Sequence, residues 1–128
     1  MKRDMETIRK VLIAIEEQYE DTALYGLEVN GLDMRTIAYH CKILYDGGFI
    51  SDYGAQFASN ELYSFGVGSL TWQGHEFLDK IRDETVWEKT KSTIAKKGLP
   101  MAIDVVKDIA TAVVGEMTKS AIKGLTGV

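Results

Sequence analysis

One stretch constrains this chain more than any other: Tyr39-His40-Cys41-Lys42-Ile43-Leu44-Tyr45-Asp46-Gly47-Gly48-Phe49-Ile50. A helical pattern closes on two glycines, and the chain then runs directly into alternating residues. Paired glycine after the last periodic position stops a helix. Phe49 to Tyr53 reads as a strand, Gly54 to Asn60 as a polar loop, and Glu61 to Phe65 as a returning strand. A helix that feeds a hairpin without a linker leaves few architectures open.

The flanks narrow them further. Met5, Ile8, Leu12, Ile15 and Tyr19 recur in steps of three and four, the helical period, with Asp4 and Glu6 at the end where the helix dipole favours acids. Leu27 and Val29 alternate with polar neighbours before Asn30-Gly31, which predicts a short edge strand. Asp33 caps a second helix whose apolar stripe is Met34, Ile37, Cys41 and Leu44. Thr71 caps a third, through Trp72, Phe77, Leu78 and Ile81. A continuation from Asp83 carries Val86, Trp87, Thr90 and Ile94 and ends at Lys96-Lys97-Gly98; Pro100 then opens a last helix. The expected class is α+β: helix, short strand, helix, β-hairpin, helix, a winged-helix order with one helix missing. Residues 1–98 are expected to form that domain, and residues 99–128 an appended amphipathic helix.

Three stretches together carry a resemblance. They are Met1-Lys2-Arg3-Asp4-Met5 with the helix behind it, the Tyr39 to Ile50 segment, and Leu70-Thr71-Trp72-Gln73-Gly74-His75-Glu76-Phe77-Leu78 continuing to Val86-Trp87. Over residues 1–97 the chain resembles an uncharacterised bacterial and prophage family, domain-of-unknown-function family twenty-five thirteen. That family more often has an aliphatic residue where Cys41 stands, and Ala-Gly-Leu where Gly47-Gly48-Phe49 stands. The resemblance implies a winged-helix-like fold and a mobile-element setting; it implies no activity.

The residues themselves argue against chemistry. His40 and His75 are the only histidines and Cys41 the only cysteine, and a structural zinc site needs three or four such ligands, commonly in close pairs. His75 and Asp79 share a helix face, but such polar pairs at four-residue spacing are ordinary surface features. Cys41 follows His40 directly, so the two side chains point about 100° apart, and Cys41 falls on the apolar stripe, where a free thiol packs as a small hydrophobe. Gly66-Val67-Gly68 is half of a dinucleotide fingerprint, without the third glycine or the later acid. The expectation is a protein that is not an enzyme and has no cofactor or metal. A single cysteine fits a reducing cytosol, and neither a signal peptide nor a membrane span is expected: the most apolar window, Leu99 to Val114, contains Asp104, Lys107 and Asp108.

Charge bears on the nucleic-acid question. The net charge is −4. Residues 43–79 carry five acids (Asp46, Asp52, Glu61, Glu76 and Asp79) and no Lys or Arg, whereas residues 80–99 carry six basic and three acidic groups. Winged helices that bind DNA rely on cations beside the phosphates, and a wing without one repels them. The DNA-binding alternative would read bases with Arg35, Thr36, Tyr39, His40 and Lys42, as a transcription regulator does. The favoured expectation is protein contact through the hairpin aromatics Tyr53, Phe57, Tyr63 and Phe65, although one face of any hairpin must cover the core. In the tail, Ile103, Val106, Ile109, Ala110, Val113 and Met117 form a stripe with no aromatic beside it and a polar face of zero net charge. A membrane-surface helix prefers basic and aromatic residues there. Homo-oligomerisation, or packing on its own domain, is expected instead.

Overall fold

The computed structural model describes residues 1–126, which form five α-helices and a three-stranded antiparallel sheet. In chain order these are α1 (Met5–Gln18), β1 (Leu24–Tyr25), α2 (Met34–Asp46), β2 (Tyr53–Ala58), β3 (Glu61–Val67), α3 (Trp72–Ile81), α4 (Glu84–Lys96) and α5 (Ile103–Thr126). The sheet order is β1-β3-β2. This mixed arrangement is consistent with the winged-helix-like order expected from the sequence.

Capping sets the helix boundaries. Asp4, Asp33 and Asp83 accept backbone N–H bonds from Glu6, Thr36 and Val86, satisfying donors that a helix start leaves orphaned. The end of α2 is a Schellman motif. Gly48 adopts φ +80°, its N–H donates to the Tyr45 carbonyl, and the Phe49 N–H donates to the Leu44 carbonyl at 2.8 Å. The glycine pair therefore reverses the chain into the hairpin. Thr71 starts α3, accepting from the Gly74 N–H at 3.1 Å.

Three strand expectations are corrected. Of the Phe49 to Tyr53 stretch only Tyr53 lies in a strand, with Ile50 making an isolated bridge to Leu70. The edge strand is Leu24–Tyr25, not the Leu27–Val29 stretch. Gly26, at φ +71°, turns the chain off the sheet after two residues. Leu27 is buried within the loop that follows, and Gln18 clamps that loop by bonding both the carbonyl and the N–H of Glu28. The segment read as a polar loop, Gly54 to Asn60, is mostly β2, and its turn is Ser59-Asn60, both with positive φ. A two-residue turn of that conformation matches the twist of the flanking strands, and asparagine tolerates it.

By packing, the chain divides into two compact units, Met1–Leu78 and a second from Asp79 onward. In the first, α1 packs on α2, and Ile8, Leu12, Ile15, Leu44, Ile50, Val67 and Phe77 are fully buried. In the second, α4 packs on α5, with Trp87 and Ile94 on one helix and Val106 and Ala110 on the other out of solvent. The boundary expected after residue 98 falls between these two packed helices.

Candidate functional site

The hairpin separates its four aromatics into two pairs. Phe65 is 4% exposed, and Tyr53 lies half-buried beside it with ring centroids 6.3 Å apart. Burial raises the Tyr53 pKa above the ordinary phenol value. This pair belongs to the sheet's packed end, so Phe65 is not available as the partner contact expected of it. Phe57 and Tyr63, toward the turn, are 67% and 70% exposed. The β2–β3 register shifts between Gln56 and Phe57, pairing Gln56 with Ser64 and Phe57 with Leu62. Tyr63 is thus the extra residue of a β-bulge, a device that re-aims side chains near sheet edges. The wing tip offers two exposed aromatic side chains and no cation.

The α2 residues expected to read DNA also divide. His40 is 1% exposed and engaged at both ring nitrogens. Nδ1 lies 2.8 Å from the Thr36 carbonyl, and Nε2 accepts from the Asp4 N–H at 3.0 Å. Since Nε2 accepts, the proton sits on Nδ1. His40 therefore ties α2 to the N-terminus of α1 and cannot reach a base; that expectation is corrected. Thr36 is half-buried, and its N–H is committed to the Asp33 cap. Arg35 and Lys42 are exposed, with half-buried Tyr39 on the same face. Lys42 is bonded to Asp46 at 3.0 Å, and that bond raises its pKa and offsets its charge locally.

The sites of suspected chemistry have structural partners. Cys41 is fully buried, and desolvation pushes its thiol up to about 12, far from the thiolate that a nucleophile requires. Asp79 bonds Arg82 at 2.8 Å, and His75 Nδ1 lies 3.9 Å from the Glu16 carboxylate. The Gly66 and Gly68 positions serve packing: an added Cβ would meet the Tyr25 ring at one and Ser51 Oγ at the other. Among the described residues, no group of three or more His, Cys, Asp or Glu side chains could hold a metal ion.

The tail stripe divides along its length. Val106 and Ala110 are buried, and Ile103, Ile109 and Val113 are half-buried, so this part of the expected oligomer interface is occupied within the second unit. Beyond it, Val114 and Met117 are exposed, Ile122 is 55% exposed and Leu125 is 87% exposed. At 1.5 Å per residue, α5 is roughly 36 Å long and α4 roughly 20 Å, so α5 outruns its partner. Sequence periodicity gave one continuous stripe and no sign of where α4 would stop covering it. No helix among the described residues is long and apolar enough to cross a membrane.

These features define an α+β domain with an aromatic, cation-free hairpin and a long amphipathic helix. Residues 2–100 match the family described as "Hypothetical protein (DUF2513)", and the chain belongs to that family. It is also similar to an uncharacterized protein of Haemophilus influenzae, at 40% identity over 120 residues, covering 91% of this chain and 98% of the relative. No solved structure matches it.

Proposed function

We propose that this protein is a non-enzymatic, winged-helix-like interaction module that self-associates through the C-terminal half of α5 and presents its wing tips to a partner protein. The observation that carries the reading is the apolar stripe of α5, buried at Val106 and Ala110 and exposed from Val114 to Leu125. A contiguous apolar face on an exposed helix favours association. A second copy suits it on charge. The half of α5 before Met117 holds three acids and one lysine; the half after it holds Lys119 and Lys123. An antiparallel pair of these segments sets Met117 against Ile122 and Val114 against Leu125, with Glu116 facing Lys123. Such a two-fold contact is self-complementary.

Substitution at Met117 and Leu125 tests the assembly in the full chain by light scattering. Phe57→Ser tests the wing tip against a purified partner. A cytoplasmic location and a phage or prophage role remain part of the proposal, the latter resting on the family resemblance alone.

A second reading, DNA binding by a dimer, is favoured by the shared face of Arg35, Tyr39 and Lys42. It requires a salt-dependent affinity for duplex DNA that Arg35→Ala weakens. Selection from random duplexes at low salt distinguishes the two readings.

A further inference from the structure

We infer that the open edge of β3 is a docking site for a short, basic, extended peptide of a partner protein; this rests on the protein-binding reading above and specifies the partner's chemistry. β3 is the central strand. β2 pairs with it along its length, but β1 pairs only at Val67 and Gly66, because Gly26 then turns the chain away. From Phe65 toward Glu61, no strand lies on that side among the described residues. Unpaired N–H and C=O groups at a sheet edge are a template for an added strand.

A cleft of about 590 Å³ runs beside this edge, lined on one side by the loop from Gly26 to Leu32 and on the other by Tyr63, Ser64 and Phe65. The Gln18 side chain, bonded twice to the Glu28 backbone, holds the loop wall in place. An extended segment alternates its side chains. One set fits the apolar surface of exposed Met34 and half-buried Val29 and Leu32; the other meets Glu28, the single charged residue in the lining. β3 itself carries the exposed Glu61, and the hairpin from residue 53 to 67 has no cation. A Lys or Arg on the peptide is therefore complemented and an acidic residue is opposed. The bulge at Tyr63 breaks the edge's regular spacing, so the site pairs a few residues rather than seeding an open-ended sheet.

The test is selection from a displayed library of random peptides of about ten residues on the full chain, followed by synthesis of a selected peptide and a backbone N-methylated copy. The expected peptides alternate basic and aliphatic residues and slow amide exchange at Leu62 to Phe65. N-methylation at the pairing amides, and separately Glu28→Lys, each weaken binding by about tenfold or more. Glu28→Lys leaves the melting temperature unchanged, since it is the Glu28 backbone that bonds Gln18. Acidic selected peptides, protection confined to other residues, or no retained peptide overturns the inference. None of these outcomes changes the self-association or Phe57 results, so the broader reading fails or stands separately.

Discussion

Gly74 sits where α3 crosses the exit of α2, and Gly74→Ala gives a prediction whose sign is informative. A Cβ there would lie 2.1 Å from the Phe49 carbonyl oxygen and 3.1 Å from its carbon. These are backbone atoms, which cannot swing aside as a flexible side chain can. Restoring ordinary contact requires about 1 Å of movement. The same carbonyl accepts the Thr71 N–H at 3.0 Å, and the Thr71 hydroxyl donates to the Gly48 carbonyl. A shift of that size stretches both past useful geometry, at about 0.5–1.5 kcal/mol each, on top of about 1–3 kcal/mol for overpacking. Alanine's helix propensity returns about 1 kcal/mol. The net expectation is destabilisation by roughly 1–5 kcal/mol, read as a lower urea midpoint with unchanged slope. Gly115→Ala is the control. Nothing lies within 4 Å of its Cβ position in α5, so it is expected to stabilise by roughly 0.5–1 kcal/mol. If Gly74→Ala also stabilised, the close approach of α3 to Phe49 would be wrong.

Other outcomes follow from the same contacts. His40→Ala removes the acceptor of the Asp4 N–H and leaves a cavity where the buried ring stood, and should cost about 2–4 kcal/mol in denaturant titration; a neutral result would contradict its linking role. Phe65→Ala should cost about 3–5 kcal/mol, whereas Phe57→Ala should change stability by less than about 0.5 kcal/mol, and equal effects would mean the hairpin's division of labour is misplaced. Hydrogen bonds from Thr36 hold the Asp33 carboxyl below its ordinary value of 3.8. Because its folded pKa is depressed, its contribution is present above the unfolded value and is lost as pH falls through the folded one. The melting gap between the wild type and Asp33→Ala should accordingly narrow as pH drops below about 4, and a gap that widened in acid would contradict the cap.

The helices were legible because their information is local. Periodicity placed α1 and α2, and the glycines at positions 47–48 and 98 marked ends that the structure closes with left-handed Gly48 and Gly98. The third helix and its continuation read as one element, whereas the structure breaks them into α3 and α4, because Asp83 supplies a new cap between them. Strands depend on partners that local pattern does not reveal. Leu27 and Val29 alternate, yet the positive φ of Gly26 had already turned the chain off the sheet, while Gly54 to Ala58, poor in β-formers, became a strand because Glu61 to Val67 lay opposite. The candidate site was half-legible for the same reason. Tyr53, Phe57, Tyr63 and Phe65 formed one set on composition, but distance from the core and a one-residue bulge decide which two face solvent. His40 looked like a surface reader because its partner, the Asp4 N–H, is 36 residues away.

The central claim, assembly through the exposed half of α5, is tested most directly by light scattering on the full chain beside a Met117→Glu, Leu125→Glu double variant. Both side chains are exposed, so the variant should keep its fold and melting behaviour. The account predicts a mass of at least two chains for the wild type and of one chain for the variant. A wild-type protein that stays a single chain at high concentration, or a variant that assembles as well as the wild type, would contradict it.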